Sequence, residues 1–174
     1  EWKVDPAKII VCGSSAAGHL ACSLGVFWDN ELVYDAIGRT PAQIRPDGLI
    51  LCYPVITGGE YAHVNSFKRL LGDDVTQEQR DAVSLENFVT EQTPRAFIWH
   101  TYTDENVPVE NSLLLAAAMK RKNVNFELHI YPTGGHGLSL ADEETAGNGF
   151  QVVEQCQSWI PLVKMWLKHF DASC

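Results

Sequence analysis

The sequence predicts an α/β fold built on a mostly parallel sheet. Short apolar runs recur at residues 9–12, 49–53, 96–100 and 126–131. The first three are nearly continuous in apolar residues, the pattern of parallel strands covered on both faces. The fourth alternates, as an edge strand does. Helical stretches lie between the runs, and strand alternating with helix is the signature of a layered α/β domain.

In chain order, the run at 9–12 leads into Gly13-Ser14-Ser15-Ala16-Ala17-Gly18, a very tight turn, and then a helix from Ala16 to about Phe27. Residues 29–47 and 54–95 are long mixed connections, with short helices expected at 66–71 and 76–82. A longer helix is expected over 108–122. Pro108 suits its first position, Leu114, Leu115, Ala118 and Met119 can share a face, and Lys120, Arg121 and Lys122 close it favourably for the helix dipole. A last helix reads from Ser158 as N-cap, with Pro161 in its first turn and Leu162, Trp166 and Phe170 recurring on one side. The 174 residues fit a single domain spanning 1–174, and a hydrophobic content of 45% is enough for its core.

The formal net charge of −9 argues against nucleic acid as a partner. No apolar run approaches the length of a membrane span. The five cysteines, Cys12, Cys22, Cys52, Cys156 and Cys174, form no C-x-x-C pair. They therefore suggest neither a metal site nor a closed disulfide set. Cys12 and Cys52 lie in apolar runs and read as buried thiols, which favours a reducing compartment such as the cytoplasm. The chain opens on Glu1 rather than Met, so a longer or processed product is expected.

The turn after the first run carries G-x-S-x-G spacing in relaxed form: Gly13, Ser15, then Ala17 in place of the second glycine. A serine on a sharp strand-to-helix turn is held in strained backbone geometry with its hydroxyl above the sheet. The helix start then aims the Ala16 N–H at an oxyanion forming beside it. Taken alone, such a turn is also a capped helix start or a phosphate-binding turn. Its companions distinguish these. In an open parallel sheet, ligands gather at the carboxyl ends of the strands. Asp104 follows the third run and His136, flanked by glycines, follows the fourth. Ser15, Asp104 and His136 thus emerge at one sheet edge. A serine hydroxyl needs a base, an imidazole titrates near working pH, and a buried carboxylate fixes the imidazole tautomer. Glu105 competes with Asp104 as the acid. His19 reads as structural, His100 as a strand end, and His63, His129 and His169 have no motif context.

With these residues in place, the chain resembles the α/β-hydrolase superfamily, in particular small acetyl esterase/lipase-like members found beside carbohydrate-degrading enzymes. The matching pieces are Val4-Asp5-Pro6, the segment from Cys12 to Ala21, Tyr53-Pro54-Val55, Trp99-His100-Thr101, residues 104–112, and Gly134-Gly135-His136-Gly137. The resemblance implies a three-layer hydrolase fold of which this chain is the C-terminal portion. It makes Ser15 the nucleophile, Asp104 the acid, His136 the base and the Ala16 N–H one oxyanion donor, with no cofactor and no metal. It further implies short acyl groups, such as acetyl on a carbohydrate. A prolyl-oligopeptidase-like peptidase and a non-catalytic remnant of the fold are the alternatives. The superfamily's first strands and its second oxyanion-donor loop precede the elbow. The run at 9–12 is therefore expected to lack one neighbour and to pair with another copy of the chain.

Overall fold

The computed structural model describes residues 3–147 and 149–170. They form a parallel sheet in the order β1 (Ile10–Ser14), β2 (Gly48–Cys52), β3 (Arg95–Thr101) and β4 (Phe126–Tyr131). Cys12 lies opposite Ile50, Ile50 opposite Phe97, and Ile98 opposite Leu128.

Alternation along the inner strands builds two apolar layers. Leu49, Leu51, Ala96 and Ile98 face α1 (Ala16–Phe27) and α6 (Glu110–Arg121), where they meet Ala21, Cys22, Val26, Leu115, Ala118 and Met119. Ile50, Cys52, Phe97 and Trp99 face α8 (Trp159–Lys168) and its Trp159, Val163 and Trp166. Every residue of β2 is buried, which is why its run is apolar without alternation. The result is the expected three-layer α/β-hydrolase arrangement, with β4 at one edge. No helix among the described residues is long and apolar enough to cross a membrane.

The connections carry more helix than the sequence suggests. Beside α4 (Val64–Leu71) and α5 (Gln77–Asp81) there are α2 (Glu31–Ala36), α3 (Pro41–Ile44) and α7 (Glu154–Gln157). Asn30 caps α2 through its side chain, and Thr40 with Gln43 forms a capping box on α3. These helices have 6, 4 and 4 residues, too few for a hydrophobic period to register.

Three expectations are corrected. Pro108 is not the first helical residue: α6 begins at Glu110 behind Val109, and the Pro108 carbonyl already accepts the Asn111 N–H at 3.0 Å. Ser158 does not cap α8 with its side chain. Its backbone is helical (φ −63°, ψ −16°), and its hydroxyl donates back to the Gln155 carbonyl at 2.7 Å, joining α7 to α8. Cys12 is not buried, whereas Cys22, Cys52 and Cys156 are. Among the described residues β1 pairs with β2 alone, and Gly13 is its one buried residue. Cys174 lies outside the described residues.

A hydrogen bond with Cys52 lowers the Cys12 thiol to about 7, against the opposing effect of partial burial. Exposure and thiolate character together set reactivity. Under native conditions Cys12→Ser should therefore remove a fast phase of alkylation whose rate rises through about pH 7, and Cys22→Ser should leave that phase intact. Mass-spectrometric mapping of iodoacetamide adducts against time checks this; slow labelling at Cys12 would contradict it.

Candidate active site

The elbow is fixed by backbone contacts on both sides. Ser15 has φ 55° and ψ −121°, a conformation rarely adopted by a residue with a side chain. Its N–H donates to the Cys52 carbonyl at 3.0 Å, and its carbonyl accepts the Val55 N–H at 3.1 Å. The close approach requires glycine before it: a Cβ on Gly13 would lie 2.1 Å from the Ala17 carbonyl oxygen. On the helix side the tight contact falls at Gly18, whose added Cβ would meet Pro54 at 2.8 Å. Ala17 itself is exposed, so its methyl group is tolerated where a glycine was expected.

Ser15 Oγ lies 2.6 Å from His136 Nε2, and His136 Nδ1 lies 2.7 Å from Asp104 Oδ2. The three residues that the sequence places at strand ends are therefore joined in one hydrogen-bonded chain. Asp104 is buried and Glu105 is exposed, which separates the two acid candidates. The second carboxylate oxygen, Oδ1, accepts the Asn106 and Val107 N–H groups, each at 3.0 Å. Burial pushes the Asp104 carboxyl up, but hydrogen bonds from His100, His136 and the Val107 amide outweigh it and hold the group well below the usual carboxylate range. The His136 loop is tied to the end of β3, where the Thr101 and Thr103 hydroxyls both donate to the Gly134 carbonyl.

Ala16 opens α1, so its N–H has no carbonyl partner within the helix. The Ser15 amide is already engaged with Cys52. Two recesses, of about 440 and 420 Å³, share Ala16, Ser66 and Leu70 in their walls. Leu20, Val55, Phe67 and Leu85 line the first; the second brings in His63, Asn65 and Arg69. Chemically the arrangement can deprotonate a serine hydroxyl, stabilise the resulting imidazolium, and offer a helix-start N–H to a developing oxyanion.

Sequence reasoning assigned no role to several residues here. The Tyr53 ring meets His136 edge-on with centroids 5.2 Å apart, and its hydroxyl accepts the Ser139 N–H at 3.0 Å. His63 lies in the second recess with Nδ1 2.8 Å from Ser66 Oγ. Burial and the nearby His136 charge lower its pKa. Asn111 is fully buried; its Oδ1 accepts the Ile56 and Thr57 N–H groups, and its Nδ2 donates to the Tyr61 and Pro108 carbonyls. In the sequence, Tyr53 and Asn111 fall within stretches that carry the family resemblance, and His63 falls in none. His19 donates to the Val83 carbonyl at 2.9 Å, and burial lowers its pKa, in keeping with a structural role. Among the described residues no cluster of three His, Cys, Asp or Glu side chains is placed to hold a metal ion.

The three-layer parallel sheet and its strand–elbow–helix unit define the α/β-hydrolase class. Within that class the chain belongs to the prolyl oligopeptidase family, whose pattern residues 61–160 match. It is 42% identical over 148 residues to endo-1,4-beta-xylanase B of Butyrivibrio fibrisolvens, covering 83% of this chain and 22% of that protein. It is 30% identical over 144 residues to the acetylxylan esterase of Xylanibacter ruminicola, covering 80% of this chain and 28% of that one. Among solved structures it resembles an acetyl ester-xyloside bifunctional hydrolase from Caldicellulosiruptor lactoaceticus, with TM-score 0.73 and 41% identity, over 92% of this chain and 58% of the other. The chain thus spans under a third of these curated relatives and somewhat over half of the solved structure.

A carboxyl depressed in the folded state stabilises the fold above its unfolded pKa of about 3.9, and that contribution is lost as pH falls further. Asp104 is such a group. The urea midpoint of Asp104→Asn should therefore drop less than that of the parent protein between about pH 5 and about pH 3. Equal drops would mean that the carboxylate is not held by its hydrogen bonds.

Proposed function

We propose that this chain is the catalytic part of a serine carboxylic-ester hydrolase, with residues 1–174 belonging to one α/β-hydrolase domain. Ser15 attacks the ester carbonyl while His136 Nε2 takes its proton. Asp104 holds the imidazole tautomer and balances the imidazolium, and the Ala16 N–H receives the oxyanion. His136 then protonates the leaving alcohol, and water releases the acyl group by the reverse sequence. The observation that carries this reading is the unbroken chain Ser15 Oγ–His136 Nε2 and His136 Nδ1–Asp104 Oδ2, at 2.6 and 2.7 Å. The acetylxylan esterase and the acetyl ester-xyloside hydrolase support a short acyl group, such as acetyl, on a carbohydrate alcohol. The chemistry calls on no cofactor.

A second reading, hydrolysis of peptides, is favoured by the family match itself. A panel of p-nitrophenyl esters and acetylated xylo-oligosaccharides, run against a peptide anilide, separates the two. Preferential turnover of the anilide would overturn the esterase reading.

Ser15→Ala should abolish ester hydrolysis, whereas Ser14→Ala should leave most of it, because Ser14 lies beside the Cys52 and Tyr53 side chains. Equal loss from both changes would place the nucleophile elsewhere. Asp104→Asn should cost on the order of 10⁴ in turnover by holding the imidazole in the wrong tautomer. Glu105→Gln should cost far less; the reverse order would move the acid by one residue.

A further inference from the structure

His100 is the sixth residue of β3 and is fully buried. Its three polar contacts define its state. Nε2 lies 2.9 Å from the Val107 carbonyl oxygen. A carbonyl can only accept, so Nε2 carries a proton. The same nitrogen lies 3.4 Å from Asp104 Oδ2, the oxygen that receives His136. Nδ1 lies 2.8 Å from the Ser112 hydroxyl, itself fully buried on α6, which fixes the ring from behind. The Asp104 carboxylate is therefore enclosed. Oδ1 is taken by two loop amides, and Oδ2 sits between the N–H of His136 and the N–H of His100.

We infer that His100 is a positioning residue for the acid: its Nε2–H, shared between the Val107 carbonyl and Asp104 Oδ2, holds the carboxylate in the orientation that meets His136 Nδ1. The inference rests on the Ser-His-Asp reading above and adds to it a second histidine that touches no substrate. It has an electrostatic side. The His100 N–H draws on the charge of Oδ2, leaving less of it for the His136 imidazolium. Without that N–H, the carboxylate turns more freely about its side-chain bond and the buried Val107 carbonyl loses its donor. Misplacement of about 1 Å in a catalytic group can cost about 10²-fold in rate.

The amides of glutamine and asparagine separate the two roles of the ring. The glutamine amide nitrogen stands as many bonds from Cα as Nε2 does, and the asparagine amide nitrogen as many as Nδ1. His100→Gln keeps a donor toward Val107 and Asp104; His100→Asn keeps a polar group toward Ser112 and loses that donor. Both variants, with Ser15→Ala alongside, would be measured for kcat and KM on p-nitrophenyl acetate as a function of pH, for Ser15 labelling by a fluorophosphonate, and for Tm. His100→Asn should lose about 10- to 10²-fold in kcat with little change in KM. The acid limb of its pH profile should move upward, because Oδ2 then gives more of its charge to His136. His100→Gln should recover most of both effects. Equal kcat and equal pH limbs in the two variants, or losses that follow Tm alone, would overturn the assignment. So would labelling rates for both variants that match the parent protein. Turnover surviving in Ser15→Ala would instead remove the triad reading on which the assignment stands.

Discussion

The backbone of Ser15 carries the tightest constraint in this structure. A residue with a side chain sits at φ 55°, and nothing in its own chemistry favours that. It is kept there because Cys52, at the end of β2, accepts its N–H, and Val55, in the segment just after β2, donates to its carbonyl. Gly13 and Gly18 supply the missing Cβ atoms that let strand, helix and the Pro54 loop close on one another. Small departures in that packing would be felt at once by the hydroxyl, because a close-packed interior has no slack in which to absorb them. The hydrogen bonds from Ser15 through His136 to Asp104 depend on this one turn, and so does the start of α1 at Ala16.

What was legible in the sequence follows from how local each feature is. β2 and the middle of β3 announce themselves because both faces are covered, so residues 49–52 and 96–99 are under the same apolar demand. The elbow, Asp104 and His136 were legible because the carboxyl end of each strand is a place that can be counted to. β1 shows the limit of that logic. Its apolar run looks like that of an interior strand, yet Cys12 is exposed, because exposure depends on what lies across the strand edge. That information is absent from the run itself.

The residues with no sequence signal are those whose partners no local pattern fixes. His100 looks like a strand end because Asp104 is four residues away through a turn and Ser112 twelve away on a helix. Ser158 has the right residue type for a cap, but the preceding turn is already helical and draws its hydroxyl backward to Gln155. Tyr53 was recognised only as part of a matching stretch. Its contact with the His136 ring arises from two strand ends that lie far apart in sequence.

Asn111 ties these pieces together mechanically. One amide group stitches the segment after β2, which leans on Ser15 through Val55, to the start of α6, which follows the Asp104 loop. The segment that supports Ser15 from β2 and the loop that carries Asp104 therefore share a single buried rivet. Opening either would strand the hydrogen-bonding groups of the other in a dry interior, and burying such groups without partners is costly. Local opening of the segment after β2 is thereby coupled to opening of the Asp104 loop, so the two are held in register by shared hydrogen bonds as well as by the stiffness of either loop.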